Sequence, residues 1–242
     1  MRRVGSLNFL ESKQDGIVKS ADGQRQPTAS PLYFFLFHGY GADAYDLQSL
    51  SDVIKSNREI HFLFPQGPLE VPIGPGWTGR AWWPIDIMAL QQAQQSGNAR
   101  DLTQNIPPEL ANLRKKTLES IEAFLKIENA NWDQVILGGF SQGSMLATDL
   151  FLNAANTPKA LVILSGALIN KDQWKEKVSA RANSPFFMSH GSGDMVLSLS
   201  GASQLESLLN NGGMKGSLFS FRGAHEIPMS AITKLNEFLL KI

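Results

Sequence analysis

The stretch "QVILGGFSQGSMLATDLFLNA" spans residues 134–154 and decides the fold. Its first seven residues form a short, continuous apolar run, as strands covered on both faces by helices do. From Ser144 onward, "SMLATDLFLNA" reads as a helix. Between the two, Gly139-Phe140-Ser141-Gln142-Gly143 matches G-x-S-x-G in its proper strand–turn–helix context. So tight a turn strains the backbone at Ser141, and glycines two residues to either side let helix and strand approach closely. The hydroxyl is then held above the sheet edge, with the helix N-terminus beneath the reacting carbon. A glycine-rich βα turn with an incidental serine would show the same five letters, so the surrounding strand and helix carry the reading.

Similar runs recur along the chain. "LYFFLF" (32–37), "IHFLFP" (60–65), "ALVILSG" (160–166), "PFFMSHG" (185–191) and "SLFSFRG" (217–223) read as strands. Helical segments separate them. "DLQSLSDVIKS" (46–56) puts Leu47, Leu50, Val53 and Ile54 on one face. "PPELANLRKKTLESIEAFLK" (107–126) begins with prolines suited to a first turn and carries a stripe of Leu110, Leu113, Leu118, Ile121 and Leu125. "SGASQLESLLNNGG" (200–213) offers a capping box in Ser203 and Glu206, and "SAITKLNEFLLKI" closes the chain. Strands alternating with helices predict an α/β fold with a mostly parallel central sheet flanked by helices. With no repeat or linker, residues 1–242 read as one domain. Residues 1–30 read as N-terminal edge strands or loop.

Composition narrows the function classes. At 242 residues the chain can bury a sizeable core. Its 22 basic and 22 acidic residues balance, and with no basic stripe a nucleic-acid partner is not expected. Without cysteine there is no disulfide, no cysteine-ligated metal and no thiol nucleophile, which disfavours a dienelactone-type hydrolase. "PLYFFLF" is too short to span a bilayer, so integral membrane association is not expected. "MRRVGSLNFLESKQDG" has no apolar stretch behind its arginines and does not read as a secretory signal. The default expectation is a cytoplasmic location.

A serine nucleophile needs a base, and the base needs an orienting carboxylate. In this architecture the order is Ser, then Asp or Glu, then His, each just past a strand end. Two histidines follow Ser141. His225, in "FRGAHEIP", lies past the last strand, where the base is expected. Asp194 follows the strand ending near Ser189 and precedes His225. His190 as base would require an acid after it, and it fits better as a hydrogen-bond partner of the loop that presents Asp194. Asp172 competes as the acid, but "NKDQW" reads as a helix start, where aspartate is common. Glu226 reads as solvated and His61 as a satisfied core histidine. For the oxyanion, one donor is expected from the backbone N–H of Gln142 and the other from the loop "FHGYGAD" (37–43), assigned to Tyr40 N–H. An ordinary glycine-rich turn is the competing reading of that loop.

Taken together, "FLFHGYGAD", "FPQGP", "GGFSQGS", "HGSGDMV" and "GAHEI" resemble the phospholipase/carboxylesterase family of α/β-hydrolases, which includes the acyl-protein thioesterases. "WWPID" and "ARDL" are similar to its bacterial carboxylesterase branch. The resemblance covers nearly everything after about residue 30. It implies an α/β-hydrolase fold without a separate cap domain, with Ser141 as nucleophile, Asp194 as acid and His225 as base. The implied activity is that of a serine carboxylesterase acting on esters or thioesters with small-to-medium acyl chains. Lysophospholipase or acyl-protein thioesterase activity is the alternative, and an apolar-ligand-binding homologue the non-enzymatic one. No cofactor and no metal are called for. Three departures from the family pattern are "MVLSL" after Asp194, where a proline is usual nearby, Gly67 in "FPQGP", and Ser144 after the turn. The first bears on the shape of the acyl pocket.

Residues 66–106 break the rhythm. The stretch is rich in Pro and Gly and holds three of the five tryptophans. It reads as a long lid-like loop, because disordered segments are poor in aromatics. Trp77, Trp82 and Trp83 are assigned to substrate binding, with Met195 and Val196 just past Asp194. The competing reading is a satellite core beneath the loop. In an extended segment, adjacent Trp82 and Trp83 point to opposite sides, so one packs inward while the other lines the groove.

Overall fold

Along strand β3 (Leu32–Phe37) every side chain is buried, yet the strand serves two cores. Tyr33, Phe35 and Phe37 pack into one apolar cluster, while Leu32, Phe34 and Leu36 pack into the other. That is the period-two alternation of a strand with helices on both faces, and it explains why the run is apolar without interruption. The architecture comes from a computed structural model that describes residues 1–16, 30–95 and 102–242. The remainder of the N-terminal stretch, and residues 96–101 with most of "ARDL", lie outside the described residues.

In chain order the elements open with β1 (Arg2–Val4), β2 (Leu7–Gln14), β3, α1 (Leu50–Val53) and β4 (Ile60–Pro65). Then come β5 (Leu69–Gly74), β6 (Trp77–Ala81), α2 (Ile87–Gln95), α3 (Leu110–Ile127), β7 (Val135–Phe140) and α4 (Gln142–Asn153). The chain ends with β8 (Ala160–Leu164), α5 (Lys171–Lys177), β9 (Pro185–Gly191), α6 (Leu199–Asn211), β10 (Lys215–Phe221) and α7 (Met229–Leu239). Eight strands form the main sheet in the order β1-β2-β4-β3-β7-β8-β9-β10. The six from β4 to β10 run parallel, and β2 and β1 extend one edge antiparallel. Helices α3 to α6 contribute to the first cluster, and α7 to the second.

The strand order reverses between β3 and β7. The chain leaves β3 toward β4 on one side, whereas β7 is followed by β8 on the other. The loops beyond the carboxyl ends of these two strands therefore splay apart, which opens a crevice at the switch point. Phe37 pairs with Gly139 at that edge, so the glycine-rich loop after β3 and the serine turn after β7 are neighbours.

Helix α4, which carries that turn, is anchored in its C-terminal half. Every residue from Gln142 to Leu152 is buried. Its buried Asp149 accepts a hydrogen bond from Trp174 Nε1 (2.9 Å) and faces the Arg114 guanidinium (3.2 Å). Burial pushes the Asp149 carboxyl up, and these partners oppose that effect. At the far end the Arg181 guanidinium donates to the carbonyls of Phe151 (2.9 Å) and Ala154. A cation is favoured there because the last carbonyls of a helix lack partners and carry its negative pole.

Three expectations change. The stretch 66–106 is not one loop but a two-stranded hairpin, β5–β6, followed by α2. Ser203 is no helix cap: α6 begins earlier, where Ser198 Oγ accepts from Gly201 N–H (3.0 Å), and Glu206 Oε1 instead accepts from Leu218 N–H on β10 (2.8 Å). The helix read over 46–56 contracts to α1, preceded by hydrogen-bonded turns.

Candidate active site

Ser141 sits between β7 and α4 with φ 53° and ψ −120°, a region that L-residues rarely occupy. Such a conformation costs about 1–3 kcal/mol and persists only where its surroundings impose it. Here they do. Ser141 N–H bonds Leu164 O on β8 (2.9 Å), and the buried helix begins at the next residue. A Cβ at Gly139 would stand 2.4 Å from the Gly143 carbonyl carbon, and one at Gly143 would stand 2.1 Å from Phe37 O. Both positions must therefore be glycine for strand and helix to meet.

Asp194 follows β9 in a turn closed by its own N–H to Gly191 O (3.2 Å). Its buried carboxylate is held from both sides. Oδ1 accepts the N–H groups of Val196 (2.8 Å) and Leu197 (2.9 Å), while Oδ2 stands 2.6 Å from His225 Nδ1. Burial alone would raise its pKa, but the hydrogen bond from His225 and those backbone N–H groups outweigh it and hold the carboxyl below its usual range. Nδ1 of His225 therefore carries the proton, which leaves Nε2 as the basic nitrogen. The His225 ring lies against Phe140 (4.7 Å between centroids), the residue before Ser141.

Ser141 and His225 line one cavity of about 650 Å³, which opens at the switch point between β3 and β7. Tyr40 and Gln142 line it too. Among the described residues, neither of their backbone N–H groups has an intramolecular acceptor. For Gln142 this follows from its place at the first position of a helix. The rest of the wall is largely apolar, with Trp83, Met145, Ile169 and Leu197 among its residues.

The assigned substrate-binding residues divide. Trp83 and Val196 line the cavity. Trp77, Trp82 and Met195 do not, which corrects their assignment. Trp77 is 72% exposed on the hairpin, where β5 and β6 form a sheet of their own. Trp82 is in the core, with its indole N–H donating to His38 O (2.8 Å). Met195 points outward, because Asp194 turns the chain there and only its successors fold back. The Gln142 side chain fixes which tryptophan faces the site. Its Oε1 accepts from Trp82 N–H (3.0 Å) and its Nε2 donates to Trp83 O (2.8 Å), clamping that wall to α4.

His190 is fully buried and absent from the wall. Its Nε2 donates to Leu197 O (2.9 Å), within the loop that presents Asp194, and lies 3.3 Å from Asp194 Oδ2. Asp172 is exposed in the first turn of α5. Glu226 is exposed, and its carboxylate accepts from Ala224 N–H (3.1 Å). His61 is half-buried beside Glu59. Sequence reasoning missed Met145, Ile169 and Leu197 of the cavity wall. None carries a local signal, since each reaches the cavity region only through the fold.

Burial is the largest cause that lowers the pKa of both His38 and His190 below the ordinary imidazole value. The unfolded chain then takes up protons before the folded chain does, so stability is lost as pH falls below about 6.5. Asp194, depressed from the ordinary carboxylate value, adds a further loss only below about pH 4. The melting temperature is expected to fall between about pH 7 and pH 5, and a flat thermal-melt profile across that window would contradict these protonation states.

A mostly parallel sheet with a strained serine turn at its switch point, and an Asp–His pair beyond later strands, defines an α/β-hydrolase. The family model described as Phospholipase/Carboxylesterase matches residues 24–242, and the chain belongs to that family. The acyl-protein thioesterase 1 homolog 1 of Dictyostelium discoideum is 24% identical over 231 residues, covering 93% of this chain and 96% of that protein. The acyl-protein thioesterase 1 of Candida albicans is 25% identical over 193 residues, covering 77% and 79%. Among solved structures, the Bacillus cereus carboxylesterase superposes with a TM-score of 0.65 at 19% identity, covering 96% of this chain and 93% of that one. Esterase PE8 gives a TM-score of 0.69 at 20% identity, covering 96% and 97%. At these identities the structural likeness establishes the fold.

Proposed function

We propose that this protein is a serine esterase that hydrolyses carboxylic esters or thioesters through an acyl-enzyme on Ser141. The observation that carries the reading is the 2.6 Å bond between His225 Nδ1 and Asp194 Oδ2, with the His225 ring opening on the same cavity as the strained Ser141. His225 Nε2 takes the Ser141 proton as Oγ attacks the acyl carbon. Asp194 holds the ring in the reactive tautomer and stabilises the imidazolium that forms. Tyr40 and Gln142 N–H receive the oxyanion. Collapse expels the alcohol or thiol with a proton from His225. Water, deprotonated by the same histidine, then releases the acid and restores Ser141.

The apolar wall sets the substrate class. Cavities of about 300–1,000 Å³ lined by apolar side chains suit small-to-medium ligands, and Trp83, Met145 and Ile169 share the wall of this one. Protein thioesters, in keeping with the names of the acyl-protein thioesterase relatives, and lysophospholipids, in keeping with the family's description, join simple carboxylic esters as candidates. Kinetics on a matched panel of the three, with one acyl chain throughout, tests the reading. Turnover of none of them by the wild-type protein would exclude it.

Each substrate methylene buried on this wall is worth about 0.8 kcal/mol, so kcat/KM is expected to rise roughly three- to four-fold per methylene until the wall is covered. Trp83→Ala flattens that slope and leaves acetate-ester turnover nearly intact. Trp82→Ala acts on stability instead, by about 3–5 kcal/mol, as a core tryptophan does. An acetate-to-octanoate series with no slope in the wild type would remove the acyl-wall assignment.

A further inference from the structure

The cavity has a floor and a rim. Trp83, Met145 and Ile169 line it as buried apolar residues, whereas Asp46, Pro84 and Asn105 line it where it meets solvent. An ester has two ends, joined at the acyl carbon that Ser141 attacks. With the acyl chain on the buried wall, the leaving alcohol or thiol is directed to the rim.

Charge at that rim has one sign. Among the described residues no lysine or arginine lines the cavity, and its acidic members are Asp46 and Asp86. Asp86 serves the backbone, where its Oδ1 accepts from Ala89 N–H at the start of α2 (2.9 Å). Asp46 lies just beyond the Tyr40 loop, in a turn closed by its N–H to Asp43 O (3.2 Å). Partial burial pushes its carboxyl up from the ordinary value, and Asp43 pushes it further. At Asp149, by contrast, Arg114 and Trp174 oppose the effect of burial. No described residue does this for Asp46. Arg80, whose backbone pairs with the same loop, turns its guanidinium to Glu70 (3.5 Å). A partly desolvated carboxylate in this position is stabilised by a cation brought to it. The whole chain balances 22 basic against 22 acidic residues, so no net charge competes with this local field.

We propose that Asp46 selects the leaving group: the site takes esters or thioesters whose departing alcohol or thiol bears a positive charge, which Asp46 receives at the rim while the neutral acyl chain lies on the apolar wall. The proposal rests on the esterase reading and deepens it by naming the substrate class of the same site. Asp46 meets the substrate away from the scissile bond, so its contribution is the same before and during attack. It therefore lowers KM for cationic substrates and leaves kcat alone.

Three thioesters with one acyl group test this. They are butyrylthiocholine, its uncharged isostere 3,3-dimethylbutyl thiobutyrate, and the butyryl thioester of 2-mercaptoethanesulfonate. Each kcat/KM is divided by that thioester's own rate constant for alkaline hydrolysis, which removes differences in leaving-group reactivity. Exposed ion pairs are weak, so Asp46→Asn is expected to lower the cation-to-neutral ratio roughly two- to fivefold. The loss should lie in KM for butyrylthiocholine, with kcat little changed. The anion-to-neutral ratio should rise by about the same factor, and Asp46→Glu should keep the wild-type order. In the wild-type protein the cation-to-neutral ratio should also fall as salt is raised from about 0.01 M to about 0.5 M, because screening weakens charge pairs. That arm reads the same charge without a substitution. A ratio independent of salt, a ratio unchanged in Asp46→Asn, or an equal loss on all three thioesters in that variant would overturn the proposal and leave the esterase reading intact. A wild-type protein that hydrolyses none of the three, and whose Ser141 is not labelled by a fluorophosphonate, would overturn both.

Discussion

Ser141→Ala is expected to fold with wild-type or better stability and to lose about 10⁴–10⁶ of kcat, the range for removal of a triad nucleophile. Stability should not suffer, because Ser141 contributes its backbone to the turn. Its N–H to Leu164 O and its carbonyl to Ser144 N–H remain in the alanine protein. Among the described residues the side chain itself forms no hydrogen bond that alanine would break, and Ser144 Oγ binds the Ser141 carbonyl rather than its hydroxyl. KM for the residual reaction should change little, because the apolar wall and both N–H donors are untouched. A folded Ser141→Ala protein with turnover near wild type would end the acyl-enzyme account.

Asp194→Asn is the second large effect, with an expected loss of about 10⁴ in kcat. The carboxylate accepts from His225 Nδ1 on one oxygen and from two backbone N–H groups on the other. An amide satisfies only part of that set. If its NH₂ faces His225, that ring must accept at Nδ1 and carry its proton on Nε2, the wrong tautomer for taking one from Ser141. If its NH₂ faces Val196 and Leu197, donors confront donors. His225→Gln should be comparably damaging, and His190→Gln only partly so, because His190 supports the Asp194 loop and stays off the cavity wall. Asp172→Asn is the control. Its exposed carboxylate sits in the first turn of α5, so kcat should hold within experimental scatter. Equal losses from Asp194→Asn and Asp172→Asn would remove the specific partnership with His225.

The central strands were legible because they are buried on both faces. "LYFFLF", "IHFLFP" and "PFFMSHG" match β3, β4 and β9 residue for residue, since no polar face interrupts the run. The hairpin β5–β6 was not legible for the converse reason. It lies on the surface with Val71, Gly79 and Ala81 its only buried members, and Pro72, Gly74 and Gly76 hide what alternation remains. The S-x-x-E pattern at Ser203 pointed to a cap, but the Glu206 carboxylate is drawn away by β10, a tertiary contact with no local trace.

At the site, chain order and strand ends were sufficient to bring Ser141, His225 and the Tyr40 loop to one cavity, with Asp194 behind the histidine. Composition alone was a poor guide to its walls. Three tryptophans in one stretch proved to serve three purposes, and the clamp from Gln142 that turns Trp83 inward spans some sixty residues of chain. His38 was illegible for a different reason. Its ring accepts from Gly67 N–H, twenty-nine residues away, a contact with no local trace.

The central claim is a covalent acyl group on Ser141, and acid-quench mass spectrometry tests it most directly. The protein is mixed with excess p-nitrophenyl butyrate, quenched in acid within the first turnovers, and weighed intact before digestion. The account predicts one added butyryl group, carried by the peptide that holds Ser141 and absent from Ser141→Ala. Rapid p-nitrophenol release with no acyl adduct on Ser141, or an adduct on another residue that persists in Ser141→Ala, would contradict it.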